Sequence, residues 1–186
     1  MDDPLQPSFQ RDKFKDVVHF ICENSKPEEL GNVKLHKILY FADMLHFMST
    51  GTPLTGVEYR KQKFGPTASH LTWALSKLAE EGAIRIDTRD YFGFQKKDYI
   101  VQQRVERRLF KNSEIRLLHD VIDFVCSRSA KEISELSHDA AWKAARMGEV
   151  MPYYAVFGLI PTELEQEDFD SAIREAQELR PLIDAD

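Results

Sequence analysis

The 186-residue chain has few cysteines, few glycines and no long apolar run, with two cysteines and eight glycines in all. Cys22 and Cys126 lie far apart in apolar stretches, so they are predicted to be buried thiols, and nothing in the sequence supports a disulfide. No stretch approaches the roughly 18 apolar residues that a transmembrane helix needs. The first residues lack the apolar core of a secretory signal. We therefore expect a soluble, cytoplasmic protein that makes no membrane contact.

Motifs of catalysis and of metal binding are also missing. There is no Gly-x-x-x-x-Gly-Lys phosphate loop, no dinucleotide fingerprint and no Gly-x-Ser-x-Gly turn. The six histidines form no His-Glu-x-x-His pattern, and no Cys-x-x-Cys accompanies them. Asp43 and His46 at i, i+3, and His138 beside Asp139, lack the further ligands or the nucleophile that such chemistry needs. The sequence predicts no cofactor, no metal and no enzymatic activity.

Positive charge is in deficit, with 25 basic against 31 acidic residues and a net charge of −6. Nine acidic and two basic residues fall in 162–186, which leaves 23 basic and 22 acidic residues elsewhere. The acidity therefore belongs to the C-terminal segment, and it argues only weakly against nucleic-acid binding by the rest of the chain. The segment itself is a candidate contact for a basic partner.

The composition that is present, 42% hydrophobic and 30% charged, is that of one folded domain. Apolar spacing predicts more helices than strands and no regular alternation of the two. The predicted fold is mainly α with a small antiparallel β-sheet (α+β). We expect a loose lead-in over 1–8, a compact domain over 9–157, and an acidic helix and tail over 158–186.

Capping and breaking residues set the predicted boundaries. The first helix covers 9–24 and ends at Pro27 and Gly31, and a strongly apolar helix follows over 32–49. A strand over 57–64 ends at Gly65-Pro66, which is predicted to open a helix capped by Thr67. A strand begins at Ile84, and short strands turn at 95–98. Three later helices are predicted to begin after Ser113, Ser129 and Asp139, and the last helix, over 167–179, has an apolar face of Phe169, Ala172, Ile173, Ala176 and Leu179.

The middle of the chain has the element order of a winged helix, which is the basis of an alternative function as a DNA-binding transcriptional regulator. In that interpretation residues 67–80 form the recognition helix and 83–101 the wing. The outward face of this helix offers Lys77 as its one long cation, beside His70, Glu80 and Glu81. This is too little positive charge to bind a phosphate backbone well. A basic stretch over 96–116, with seven basic and three acidic residues, is interpreted as a solvated face, with an acidic partner surface or nucleic acid as the alternative contact.

Several short motifs occur in an order that resembles the Panacea domain family, which includes SocA-like antitoxins. They are Lys34-Leu35-His36-Lys37-Ile38-Leu39-Tyr40-Phe41-Ala42-Asp43, Gly51-Thr52-Pro53-Leu54, Phe64-Gly65-Pro66, Leu75-x-x-Leu78-x-x-x-Gly82-x-Ile84, Ser134-x-x-Ser137-His138, Trp142 and Pro152-Tyr153. The resemblance covers about residues 10–157. It implies a mostly helical domain with a small sheet and no catalytic residues.

The resemblance also implies a function, the neutralisation of a cognate toxin by direct protein contact. One branch of the family resembles a proteolytic adaptor that delivers its toxin to the ClpXP protease. Most apolar motif residues are expected in the core, and nucleic acid is not an expected partner. The polar or exposed-looking residues are the candidate partner contacts, together with Trp142 as an anchor: Lys34, Lys37, Asp43, His46, Tyr59, Lys63, His70 and Trp142.

Overall fold

A computed structural model describes residues 8–91 and 93–159 of the chain. The lead-in before residue 8 and the predicted helix over 167–179 lie outside the described residues. Within them the fold is mainly α with small antiparallel sheets, as predicted. The helices are α1 (Arg11–Glu23), α2 (Pro27–Thr50), α3 (Leu71–Glu80), α4 (Asn112–Cys126), α5 (Ala130–Leu136) and α6 (Ala140–Ala144), and the strands are β1 (Tyr59–Gln62), β2 (Gly65–Ala68), β3 (Ile84–Tyr91), β4 (Phe94–Val101) and β5 (Val150–Met151).

The central element is α2, which packs against α1, α4, α5, β2 and β4. Its apolar residues face several directions around the axis, and such a helix has to be covered on most sides. Gly31 interrupts α2 near its start with φ 64°, so the helix break predicted at Gly31 is confirmed, although Pro27 begins a helical turn rather than ending one. Gly51 ends α2 in a left-handed conformation. The hydrophobic core is built around this helix.

The strands of the described residues form two sheets. In the first, the order is β2-β1-β5, and β1 pairs antiparallel with both neighbours. In the second, β3 and β4 form a long hairpin in which Ile84 pairs with Val101 and Tyr91 with Phe94. The predicted turn at 95–98 is wrong, because these residues belong to β4, and the last pair before the hairpin turn is Tyr91 with Phe94. A Gly93 φ of 81° suits that position.

Two predicted helix starts are wrong for identifiable reasons. Gly65-Pro66 begins strand β2 and not a helix, since the proline φ is compatible with both and Pro66 lies opposite Lys61 in the ladder. Ser113 does not cap α4, because the helix begins at Asn112 and Lys111 is the residue at its N-cap. The Glu114 carboxylate accepts a hydrogen bond from the Lys111 N–H at 2.8 Å.

Other boundary predictions are confirmed. Ser129 and Glu132 form the predicted capping box of α5. Asp139 caps α6 by accepting a hydrogen bond from the Trp142 N–H at 2.8 Å.

Cys22 is a buried free thiol, and burial raises its pKa to about 12. Cys126 is also free, but it is only partly buried. None of the helices in 8–91 and 93–159 is long and apolar enough to cross a membrane.

Candidate partner-binding site

Asp43 is the centre of a buried hydrogen-bond cluster that ties α2 to the start of β1. Its carboxylate accepts hydrogen bonds from the Thr55 N–H at 2.7 Å, the Thr55 hydroxyl at 2.6 Å and the Tyr59 hydroxyl at 2.7 Å. Asp43 is 1% exposed and Tyr59 is fully buried. Burial raises the pKa of Asp43, while the bonds from Thr55 and Tyr59 act in the opposite direction. The cluster fixes the path of the chain after α2.

Lys37 lies on the same helix and is also buried. Its ammonium donates to the Pro66 carbonyl at 2.7 Å, and burial lowers the pKa of Lys37 to about 7. The neighbouring His36 accepts a hydrogen bond from the Ala68 N–H through Nδ1, and burial lowers its pKa to about 4. These two side chains hold strand β2 against α2.

We call Lys37, Asp43, Thr55, Tyr59 and Ser137 the buried polar seam. Each of these side chains is at most 2% exposed. Buried polar groups are stable where they are hydrogen-bonded. Here Lys37 and Ser137 donate to backbone carbonyls, and the hydroxyls of Thr55 and Tyr59 donate to the Asp43 carboxylate. The seam is therefore part of the scaffold.

Four of the predicted contact residues are consequently not on the surface. Lys37, Asp43 and Tyr59 belong to the seam, and Lys34 is also buried, with its ammonium donating to the Cys126 carbonyl at 3.2 Å. Their prediction as exposed contacts is wrong, because a charged or phenolic side chain can be buried when it finds a partner in the fold.

The short turn between β1 and β2 differs from the seam because it carries an exposed aromatic side chain. Phe64 is 60% exposed, one of the most exposed large apolar side chains among the described residues. The next residue, Gly65, is buried, with φ 94°, and a Cβ there would lie 2.2 Å from Ser137 Oγ and 2.7 Å from Lys37 Nζ. A glycine is thus required for the turn to sit against the seam. The tight fit holds Phe64 out in solvent.

Phe64 forms one lip of an open groove of about 430 Å³. The opposite wall is α5, whose start is fixed by the Ser129 cap, and the Ser134 hydroxyl donates to the Phe64 carbonyl at 2.9 Å across the base. We call this the Phe64 groove. Its lining is Val33, Lys63, Phe64, Ala130, Lys131, Ser134, Glu135 and His138.

The charges on the groove are arranged at its rim. Lys63 and Lys131 are exposed, as is Glu135, so two cations face one anion. The Lys63 ammonium lies 5.5 Å from the centre of the Phe64 ring. An apolar channel with a basic rim matches an apolar side chain flanked by carboxylates.

His138 and Trp142 support one end of the groove. Their rings stack at 3.8 Å with an interplanar angle of 16°. Trp142 Nε1 donates to the Gln62 carbonyl at 3.1 Å, and the Lys61 ammonium lies 4.0 Å from the Trp142 ring centre. Burial and the nearby Lys37 lower the pKa of His138, which favours its neutral form. Trp142 is thus a partly buried packing residue behind the groove rather than part of its lining.

The two remaining predicted histidines lie elsewhere. His46 Nδ1 is hydrogen-bonded to the Thr52 carbonyl at 2.7 Å, so it closes the turn after α2 and does not pair with Asp43. His70 precedes α3 and stacks on Phe9 with ring centres 4.6 Å apart. Of the predicted contacts, the structure places Lys63 on the groove, with Trp142 behind it.

The predicted recognition helix is shorter than expected, because residues 67 and 68 belong to β2 and α3 begins at Leu71. Its one exposed long cation, Lys77, pairs with Glu80 at 3.3 Å. The hairpin of β3 and β4 occupies the place predicted for the wing. Within residues 8–91 and 93–159, no three His, Cys, Asp or Glu side chains are grouped closely enough to hold a metal ion.

The sequence patterns did not indicate that Phe64 is exposed on a groove, and its motif was interpreted only as a turn set by Gly65 and Pro66. The patterns also did not indicate the α5 wall of Ala130, Lys131 and Glu135. A usable signal was present, since an aromatic residue at a Lys-Phe-Gly-Pro turn has no strand or helix partner that would draw it inward.

A comparison with protein-family models confirms the family resemblance that the sequence motifs indicate. The family model described as "Antitoxin SocA-like, Panacea domain" matches residues 35–143. That range includes most of α2, both strands of the Phe64 turn, and α5. Neither the curated proteins nor the solved structures gave a match. Since the matched residues make up more than half of the chain, the protein belongs to the SocA-like Panacea domain family of antitoxins.

Proposed function

We propose that this chain is an antitoxin that neutralises a cognate toxin by binding it directly, and that it has no catalytic activity of its own. The observation that carries the proposal is the family match across the elements that build the Phe64 groove. A protein that acts by masking needs an exposed recognition surface and no reactive centre. The proposal includes a cytoplasmic location, where such a toxin would act.

The groove supports this role because its apolar lip is exposed although the domain has an extensive core. Phe64, at 60% exposure, is held outward by the fit of Gly65 against Ser137 and Lys37. Exposed apolar surface of this kind is typical of protein interaction sites. The expected toxin segment carries an aromatic or aliphatic side chain flanked by acidic residues, which would meet Lys63 and Lys131.

The experiment uses the product of the adjacent gene as the candidate toxin. The toxin is expressed alone, with the wild-type chain and with Phe64→Ser, and growth and co-purification are followed. We expect the wild type to restore growth and to co-purify, and Phe64→Ser to lose both. Tyr154→Ser, at a site 53% exposed and outside the groove, is the matched control that should behave as wild type. A neighbour that is harmless alone and does not bind would contradict the proposal.

Delivery of the toxin to the ClpXP protease is the adaptor form of this function. It predicts that the toxin, and not this chain, disappears when both the chain and the protease are present. A toxin half-life that does not depend on the chain would exclude the adaptor form and leave neutralisation by masking.

Nucleic acid is not the partner in this proposal. The exposed face of α3 has one long cation, and that cation is already paired with Glu80. Gel shifts on the chain's own promoter region at about 50 mM salt should show no complex, whereas a complex that weakens steeply with salt would favour a DNA-binding regulator.

A further inference from the structure

Strand β3 has an open backbone edge on the side away from β4. Among the described residues its sheet consists of β3 and β4, so no third strand pairs with β3 there. The residues along the outer part of the strand, 87–90, are all exposed. An edge of this kind offers a row of N–H and C=O groups to which another chain can add a strand.

The hydrogen bonds of the hairpin show which backbone groups point away from β4. The Gln102 N–H donates to the Ala83 carbonyl at 2.9 Å, and this pair continues the register of the β3–β4 ladder. Hydrogen-bonded and non-hydrogen-bonded pairs alternate along an antiparallel ladder. The odd-numbered residues of β3 therefore bond to β4, and the even-numbered residues direct their N–H and C=O groups outward: Ile86, Thr88 and Asp90.

The charges along this edge alternate in sign. Arg85, Asp87 and Arg89 lie on one face of β3, because side chains two residues apart in a strand share a face. Charges on an edge strand usually oppose pairing with a second copy, because like charges meet. The alternation on β3 permits such a pair, since a cation of one copy can lie opposite an anion of the other.

One register of two antiparallel β3 strands satisfies both the hydrogen bonds and the charges. Outward backbone groups have to meet outward groups, so the even-numbered residues of the two copies must lie opposite each other. When the pair is centred on Thr88, Ile86 lies opposite Asp90 and Thr88 opposite its own copy. Asp87 of each copy then lies opposite Arg89 of the other, which is an attractive pair.

The neighbouring registers are unfavourable. A pair centred on Asp87, on Arg89 or on Asp90 places that residue opposite its own copy, so like charges meet. A pair centred on Ile86 would need the edge at Ile84, which is 2% exposed and therefore already covered by its own chain.

The two charged side chains also have partners within their own chain. Arg85 contacts Asp87 at 2.9 Å, and Arg89 contacts Asp98. A carboxylate has two oxygens and a guanidinium has five N–H donors, so each can take a second partner across the interface.

We propose that two copies of this chain pair through β3, antiparallel and centred on Thr88, and form one four-stranded sheet across a two-fold axis. About six backbone hydrogen bonds join the strands, two at each of the three even-numbered positions. The interface is small, so we expect a dimer with a micromolar Kd. The Phe64 groove is built from other elements, and the inference does not depend on the identity of the toxin.

The test is complementation between two charge-reversed variants of the full-length chain, followed by sedimentation velocity. The wild type should be a dimer at about 200 µM and a monomer at about 1 µM. Asp87→Arg and Arg89→Asp should each raise the dimer Kd at least about tenfold, because each turns two attractive cross-strand pairs into two repulsive ones. An equal mixture of the two variants should dimerise about as well as the wild type, since both cross-strand pairs of the mixed dimer are attractive.

Control variants separate strand pairing from general effects of charge and folding. Asp123→Arg, at an exposed site on α4, makes the same charge change and should sediment as the wild type does. Thr88→Pro removes an outward N–H without removing a bond to β4, so it should remain a monomer. Thr88→Ala keeps that N–H and should dimerise. Circular dichroism checks that each variant is folded, and in Arg89→Asp the Lys96 ammonium still pairs with Asp98, at 3.1 Å.

Three results would overturn the inference. One is a wild type that stays a monomer at about 200 µM. If that monomer binds the toxin and loses it in Asp87→Arg, a strand of the toxin is the occupant of the edge. Another is a dimer that Asp87→Arg and Thr88→Pro leave unchanged, because the contact would then lie elsewhere. The third is a pair of folded, monomeric charge-reversed variants that do not associate when they are mixed.

Discussion

The buried polar seam and the Phe64 groove meet at one turn, yet they have opposite chemistry. Lys37 and Asp43 are at most 2% exposed, whereas Phe64 is 60% exposed. The polar side chains are inside because the Pro66 carbonyl accepts from Lys37 and the Thr55 N–H donates to Asp43, and the aromatic ring is outside because Gly65 fits tightly beneath it. The comparison teaches that in this domain the charged motif residues build the scaffold, and an apolar residue offers the exposed surface that we propose for recognition.

The largest expected effect is the loss of the Asp43 carboxylate from the seam. Asp43→Ala leaves the Thr55 N–H and two buried hydroxyls without their acceptor, and the free energy of unfolding should fall by about 4 kcal/mol. Urea unfolding measures the change. Asp123→Ala, at an exposed site on α4, should change it by less than about 0.5 kcal/mol. A loss below about 1 kcal/mol at Asp43 would show that the seam is not structural.

Gly65→Ala tests the contact between the two regions. The new Cβ would meet Ser137 and Lys37, and φ 94° is strained for alanine, so we expect a loss of about 3 kcal/mol in unfolding free energy. Gly148→Ala shares the positive φ, at 81°, but has nothing within 4 Å of the new Cβ. Its loss should be about 1 kcal/mol, from the backbone alone. Equal losses in the two variants would mean that the fit at Gly65 is loose.

Lys37→Met tests the burial of Lys37 in the seam through the pH dependence of the free energy of unfolding. Because burial lowers the folded-state pKa of Lys37 to about 7, from 10.5, the stability linked to its neutral form is complete above pH 10.5 and is lost as pH falls towards 7. The wild type should therefore gain about 2 kcal/mol relative to Lys37→Met between pH 7 and 9. Denaturant unfolding at both pH values measures this gain. Lys131→Met on the groove rim should show no such trend, and a pH-independent difference at Lys37 would contradict its burial.

The smallest effect concerns the wall of the groove. Ser129→Ala removes the side-chain cap of α5 and should lower the free energy of unfolding by about 1 kcal/mol. Ser113→Ala is the matched control, since Ser113 lies within α4 and does not cap it, and we expect a change below about 0.5 kcal/mol. A larger loss at Ser113 than at Ser129 would reverse this interpretation of both helix starts.

Much of the fold could be predicted from the sequence because helix signals are local. The apolar spacing of α1, the Ser129–Glu132 capping box and the Gly51 end of α2 depend on residues within one or two turns of each other. Strand β2 was missed because its pairing with β1 has no local pattern, and a Gly-Pro pair is compatible with either element.

The candidate site could be predicted only in part. Burial of Lys37 depends on the Pro66 carbonyl, 29 residues away, and burial of Asp43 on Thr55 and Tyr59 in the next element. Such pairings are formed by the tertiary fold, so polarity alone suggested exposure. Lys63 was identified correctly as exposed because a lysine at a strand end has no partner within reach of the core.

The most direct test of the central claim is the affinity for the toxin of two variants with matched exposure. Isothermal titration of the purified toxin should show that Phe64→Ala raises the Kd about 30-fold, as expected for an aromatic anchor, with the fold unchanged by circular dichroism. Tyr154→Ala should leave the Kd within about twofold of the wild type. An unchanged Kd for Phe64→Ala, or equal losses at both positions, would contradict the assignment of the Phe64 groove as the recognition surface.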